Sequence, residues 1–454
     1  MRDLGPMLLS AIFLLCGCSG GGGSSGASAS QFCGGSGVSS DPYLICNEQQ
    51  LQLISQFSSS NFRLSNDIAL SSNWQPINTF SGIFDGNNKV ISGISFTLPT
   101  SGSAFGISTN FIGGFVNSNN GTLKNLNVTF TINGSGRWIT GGVVGNNNTS
   151  GILSNISVNG SLSLSGTGNW YGAIAGENLG SISNCLSQGT VSTTGQQTGG
   201  VVGYNTGTVS NCTSEVSVSS SGAQTGGIIG ANIGTLTNSN ATGDVSSSGQ
   251  GTGGIVGWNS GGGNITKAVF SGTLSASGMY IGGVVGFNAA TISKSSSSVS
   301  INASGVDSVG GIAGTSSGTI LTSFSTGNIA GNNYVGGLVG FNSGTIANAY
   351  SSGNISGTSY PGGLVGSNTS QTSGWLSNCY STGAVTGTNS GGLIGFNSYA
   401  VSASFWDSQA SGVASSNGGV GKTTTQMKSM ATFTGWDFVN IWTMATSSGY
   451  PGLR

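Results

Sequence analysis

The sequence predicts an all-β solenoid, a parallel β-helix of about 12–14 coils, and three observations point to it. A phrase of the form G-G-[V/I/L]-[V/I/A]-G recurs eleven times, starting at Gly113, Gly141, Gly172, Gly199, Gly226, Gly253, Gly282, Gly310, Gly336, Gly362 and Gly391. Two columns of asparagine recur in step with it. No stretch sustains the 3.6-residue apolar period that helical repeats would need.

The phrases are 26 to 31 residues apart, and only the first (GGFVN) and third (GAIAG) depart from the pattern. A unit this short cannot bury its apolar face alone, so it must stack on its neighbours. Between phrases, three runs rich in Val, Ile, Leu and Thr alternate with Gly and Asn. That spacing suits strands of about three to five residues separated by tight bends. Three such strands make one coil, and each strand pairs with its equivalent in the next. At about 4.8 Å per coil, eleven repeats make a rod on the order of 50 Å.

The seventh position of the phrase holds Asn119, Asn147, Asn178, Asn205, Asn232, Asn259, Asn288, Asn342, Asn368 and Asn397, with Ser316 the single break. A second column holds Asn125, Asn155, Asn184, Asn211, Asn238, Asn348 and Asn378. Asparagine tolerates left-handed backbone, and stacked amides can hydrogen-bond along an axis. Leu126, Ile156, Cys185, Cys212, Ser239, Ala268 and Ala349 follow the second column and fit an inward position.

Residues 33–112 read as an N-terminal cap with the first coils, 113–404 as the repeats and 405–454 as a C-terminal cap. A short amphipathic helix is expected within Asn47–Phe57, with Leu51, Ile54 and Phe57 on its apolar side and Asn47 and Gln50 as a capping box. Segments 62–70 and 82–96 are strand-like. Trp406, Trp436, Phe438, Trp442 and Tyr450 crowd the C-terminal cap and are expected to seal the open end.

Residues 1–17 read as a signal peptide: Arg2 gives a weak basic start and Met7–Leu15 an apolar stretch too short to span a bilayer. Leu15-Cys16-Gly17-Cys18 resembles a bacterial lipobox, which implies lipidation of Cys18 and a membrane anchor. By the same resemblance, Ser19 after it favours the outer membrane. An ordinary secretory signal is the alternative. Residues 18–32 are Gly/Ser-rich and suit a flexible tether. Cys33 and Cys46 flank a short loop and are expected to form a disulfide in an oxidising compartment. Cys185 and Cys212 occupy equivalent positions in successive coils; small buried core residues are the favoured reading, a disulfide the other.

The repeat resembles the GLUG motif of bacterial surface proteins, on Gly337-Leu338-Val339-Gly340, Gly363-Leu364-Val365-Gly366 and Gly392-Leu393-Ile394-Gly395. The flanks are similar too: Gly34-Gly35-Ser36-Gly37 with Asp41-Pro42-Tyr43-Leu44-Ile45, Phe62–Ile68 with Phe84-Asp85-Gly86-Asn87, and at the C-terminus Phe405-Trp406-Asp407, Gly418-Gly419-Val420-Gly421-Lys422-Thr423, Gly435-Trp436-Asp437 and Tyr450-Pro451. The resemblance spans about residues 33–454. It implies a right-handed β-helix on an adhesin-like surface protein. Similar repeats accompany immunoglobulin A-cleaving metallopeptidases, but their zinc-binding H-E-x-x-H has no counterpart in a chain without histidine.

Composition narrows the chemistry. Glycine is 84 of 454 residues with 6 prolines and no G-X-Y period, which excludes collagen. A net charge of −1 and 5% charged residues leave no basic patch, so no nucleic-acid partner is expected. Gly418–Thr424 mimics a phosphate loop, but the preceding stretch is polar rather than strand-like, and no nucleotide is expected. Between Gly113 and Tyr399 the acids are Glu177, Glu215, Asp244 and Asp307, scattered over different coils. Without paired carboxylates or a histidine base, catalysis, a metal and a cofactor are not expected.

The candidate binding residues are aromatic. Tyr204, Trp258, Phe287, Phe341 and Phe396 precede members of the first Asn column, and Phe324, Tyr350 and Tyr380, followed by Phe405, lie near the second. Facing outward, such stripes would grip sugar rings or a partner protein. Alternatively, they cover bends and pack against neighbouring loops. The expectation is a non-catalytic, lipid-anchored surface protein binding a glycan, a matrix or a neighbouring cell. A structural stalk and a carbohydrate-active enzyme are the rival readings.

Overall fold

Each glycine phrase folds a coil back on itself. The structure, a computed structural model, describes residues 31–100, 105, 110–135, 138–369, 375–444 and 449–454. The signal peptide, Cys18 and the tether as far as Ser30 lie outside the described residues. A Cβ on Gly199 would sit 2.1 Å from the Val202 carbonyl oxygen, and one on Gly203 would sit 2.3 Å from the Trp170 carbonyl carbon and the Tyr171 nitrogen. The first and fifth glycines thus let successive strands pack backbone to backbone. The first phrase has Asn117 in the fifth place, where its Oδ1 accepts from the Gly113 amide at 3.1 Å.

The coils stack as a parallel β-helix, right-handed as the family resemblance implies. One face is a ladder of twelve strands running from Ile77–Phe80 and Val116–Asn119 to Val365–Asn368 and Ile394–Asn397. A second ladder of nine short strands ends each time on the first glycine, from Phe111–Gly113 to Val335–Gly336. A third, 26-stranded sheet winds through the remaining faces. Its strands at Thr122–Ser135 and Ile152–Ser165 are 14 residues long, against the expected three to five. Their bends at Asn125 and Asn155 are taken up within continuous pairing.

The core is built from columns rather than clusters. The phrase's third and fourth residues, such as Val201 with Val202 and Leu338 with Val339, are wholly buried, as is the column Leu153, Ile182, Val209, Leu236 and Ile265. Burying such a side chain contributes about 1.5–3 kcal/mol.

Both Asn columns act as expected, by different physics. The first is a buried amide chain: each Nδ2 donates to the Oδ1 one coil on, at 2.7–2.8 Å from Asn119 to Asn288 and from Asn342 to Asn397. The second sits at the left-handed bend, where Asn125, Asn155, Asn184, Asn211, Asn238, Asn348 and Asn378 have φ of 47–54°. Lys267, Lys294, Thr322 and Ala403 occupy the same bend at φ of 42–54°.

Cys185 and Cys212 are disulfide-bonded, with Cα atoms 4.5 Å apart, which corrects the preference for unbonded core residues. They are nonetheless buried. Cys33 and Cys46 are also bonded, with Cα atoms 6.2 Å apart. Further along the inward column the Ser239 hydroxyl donates to the Thr237 carbonyl and accepts from the Cys212 amide. Ser295, Ser323 and Ser404 repeat that bridge between coils.

The ends are capped differently. At the N-terminus a six-residue helix, Glu48–Leu53, places Leu51 in the core, with Ile54 just beyond it. Asn47 Oδ1 accepts from the Gln50 amide, while Gln50 Oε1 accepts from Cys46, one residue before the expected partner. At the C-terminus Trp406 packs inside the last coil, and Ser415 and Ser416 bond to the amides of Gly392, Leu393 and Ile394. The other cap aromatics do not seal the end; they fold back along the side of the rod.

Candidate functional site: an aromatic ridge on the rod

Within a solenoid that leaves glycine, Asn and core positions no freedom, the sixth position of the phrase varies most. Strand pairing places Ser118, Asn146, Glu177, Tyr204, Ala231, Trp258, Phe287, Thr315, Phe341, Ser367 and Phe396 in one column. The first predicted stripe therefore lies in one column, with Ala231, Thr315 and Ser367 between its rings. Tyr204, Trp258, Phe287 and Phe341 are half-buried, and Phe396 is 41% exposed.

A neighbouring column escaped the sequence reading. Two residues before each phrase from the third to the eleventh lie Trp170, Gln197, Gln224, Gly251, Tyr280, Ser308, Tyr334, Tyr360 and Asn389, each with φ between 55° and 78°. Left-handed backbone is unfavourable for bulky side chains and costs of order 1–3 kcal/mol. The fold imposes this bend on nine successive coils, yet Trp or Tyr fills it four times. The signal was present in the sequence as residues at a fixed offset from the glycines.

The two columns interlock. Trp170 stacks on Tyr204 with ring centroids 4.5 Å apart and planes 11° from parallel. Trp258 stacks on Phe287 at 4.0 Å. Tyr280 leans on Phe287, Tyr334 meets Phe341 edge to face and Tyr360 on the next coil, and Tyr360 meets Phe396 edge to face. From Trp258 to Phe396 the result is a ridge of rings interrupted by Ser308, Thr315, Ser367 and Asn389.

The second stripe has a different fate. Phe324, Tyr350 and Tyr380 stack at 4.9 and 5.0 Å with nearly parallel rings. Tyr380 is only 2% exposed, because Met427, Phe433, Trp436 and Trp442 pack over it with Tyr350 and Phe405. The Tyr380 hydroxyl donates to the Pro451 carbonyl, and Trp436 Nε1 donates to the Ala403 carbonyl at 2.9 Å. Burial pushes the Tyr380 phenol well above its ordinary range, with Tyr350 and Tyr450 adding to the shift. Tyr350 and Tyr380 are thus the seat of the cap, not a free binding face.

The acids do not converge. Glu177, buried on the twelve-stranded face, has its carboxyl raised by burial. Glu215 lies on another sheet and accepts from Gln188 Nε2 at 2.7 Å. Asp244 accepts from Thr273. Asp307 accepts from Asn332 and from both the backbone and side chain of Asn333. Among the described residues no group of three or more His, Cys, Asp or Glu is placed to hold a metal. The phosphate-loop lookalike is a strand, Val420–Lys422, paired with Phe405–Asp407, and Thr423 then caps a four-residue helix.

Stacked coils with glycine corners and an internal amide ladder define a β-helical repeat protein. The family model of the GLUG motif matches residues 194–219 and 331–356, two of the coils of this β-helix. No curated protein is matched by its sequence. Among solved structures it is similar to a putative immunoglobulin A1 protease from Bacteroides ovatus. Identity is 17%, 93% of this chain and 95% of that one are covered, and the TM-score is 0.33.

Proposed function

We propose that this chain is a cell-surface adhesin-like protein, anchored to the bacterial outer membrane by a lipid on Cys18, that binds glycan through the ridge from Trp258 to Phe396. The supporting observation is the paired aromatic columns, with Tyr280, Tyr334 and Tyr360 held in left-handed backbone at φ of 55–64°. Packing the core needs none of these rings. Aromatic faces interleaved with Ser, Thr and Asn suit the mixed apolar and hydroxyl surface of a sugar. The separate engagement of Glu215, Asp244 and Asp307 supports a binding rather than a catalytic role. The test is an array of glycans and surface proteins probed with the protein and with a Tyr334→Ala, Phe341→Ala variant. Glycan binding that the double variant loses supports the reading; binding that survives it, or an array that stays dark, removes the ridge from the function. Loss of palmitate labelling in Cys18→Ser tests the anchor.

A further inference from the structure

Near the N-terminal end of the sixth-position column a buried acceptor is without a donor. Asn146 is 6% exposed, and among the described residues its Oδ1 accepts from no group. Its orientation is fixed from the other side: Nδ2 donates to Asn148 Oδ1 at 2.9 Å, and Asn148 Nδ2 donates to the Ser118 hydroxyl at 2.9 Å. Strand pairing gives Asn146 two column neighbours, Ser118 before it and Glu177 after it. Ser118 makes no bond to Oδ1, which leaves Glu177. That side chain is 8% exposed, and as a carboxylate it accepts no hydrogen bond and meets no cation among the described residues. A lone buried carboxylate is costly, and so is an unpaired buried amide oxygen. One proton removes both costs.

We propose that Glu177 keeps its proton in the folded rod and donates it to Asn146 Oδ1, so that the pair is a pH-sensitive latch between the second and third glycine phrases. Burial raises the Glu177 carboxyl above its ordinary value of 4.5. Among the described residues, the strands packed against Ala175–Asn178 carry two titratable groups, the phenols of Tyr171 and Tyr204. Burial raises both, and the charge of Glu177 raises Tyr204 further, so both stay neutral while Glu177 titrates. Arg137, two residues before Ile139, lies outside the described residues. A raised value means that the folded chain holds the proton more tightly than the unfolded one. The stabilisation is therefore complete below about pH 4.5 and is lost as pH rises through the titration of folded Glu177. In a solenoid the effect stays with the coils that carry the pair.

The experiment is native-state hydrogen exchange of the purified protein between about pH 4 and 8, read by mass spectrometry and corrected for the intrinsic pH dependence of exchange. Peptides covering Val144–Asn147 and Ala175–Asn178 should lose protection by about tenfold across the titration. Those covering Val339–Asn342 and Val365–Asn368 should not change. Glu177→Gln keeps a donor for Asn146 and removes the titrating group, so its protection should be independent of pH and match or exceed the parent's at the alkaline end. In the infrared, a protonated-carboxyl band should persist in the parent above the pH at which exposed carboxyls ionise, vanish in Glu177→Gln and titrate at lower pH in Asn146→Ala. Circular dichroism verifies that both variants are folded. Weaker protection in Glu177→Gln than in the parent at the alkaline end would mean an ionised, paired carboxylate and overturns the proposal. A missing band, or one whose titration Asn146→Ala leaves unmoved, overturns it as well.

Discussion

Asn288 donates its side-chain amide to the Ser316 hydroxyl at 3.1 Å, and there the buried amide chain stops. On either side, each Asn reaches the next at 2.7–2.8 Å. Ser316 makes no onward bond to Asn342, so one ladder becomes two. Ser316→Asn should join them and raise stability by about 1 kcal/mol, the net worth of a buried hydrogen bond. Asn232→Ala should do the reverse, and by more, because it leaves buried partners at Asn205 and Asn259 unpaired. Thermal melts of the two variants check both signs.

The left-handed bend offers a second handle. Lys267 and Lys294 hold it on adjacent coils at φ of 54° and 50°, where Asn is the better tolerated residue. Lys267→Asn and Lys294→Asn should each stabilise by a few tenths of a kcal/mol, and the pair by somewhat more, since two like charges on adjacent coils are also removed. Chemical denaturation of single and double variants measures the gain.

Because solenoid stability is a sum of local terms, damage to the side cap should stay local. Trp442 is completely buried against Tyr350, Tyr380 and Trp436. Trp442→Ala should cost the cap about 3–5 kcal/mol and expose residues 424–454 to protease while the coils upstream remain resistant. Limited proteolysis followed by mass spectrometry identifies the released segment. Wholesale digestion would show that the cap holds the rod together.

The phenols set the alkaline limit. Tyr171 and Tyr380 are raised from an ordinary value of 10.0 by burial, and Tyr450 is pushed up to about 12 by burial and by its bond to Asp407. The unfolded chain would release these protons from about pH 10, whereas the folded one holds them. Stability is therefore intact below pH 10 and falls as pH rises above it. Tyr380→Phe should flatten that alkaline limb. Melting temperature against pH for the two proteins tests the sign.

Cys379 is buried, and burial pushes its thiol up to about 12. It should resist alkylation in the native protein at pH 8 and react once unfolded. Peptide mapping without reductant should recover Cys33 with Cys46 and Cys185 with Cys212.

The coil was readable because its constraints are local: a glycine where two backbones touch, an Asn where amides stack, another Asn where the chain turns left-handed. The aromatic columns were only half readable. Tyr204, Trp258 and Phe287 stood out beside an obvious Asn, whereas Tyr280 and Tyr334 sit at a bend whose backbone sign no single residue announces. That the C-terminal tail would lie on Tyr380 rather than beneath Ile394 depends on a contact 71 residues apart, between Tyr380 and Pro451. No repeat encodes that return.

Gly203 fits beneath Trp170 of the preceding coil, and the other fifth-position glycines from Gly230 to Gly395 fit beneath their counterparts in the same way. The backbone socket is thus indifferent to the side chain it carries. A duplicated coil would arrive with its socket complete and with its parent's two outward residues in place. Such a chain can grow longer, or change what it reads, by copying one unit of DNA and altering two codons.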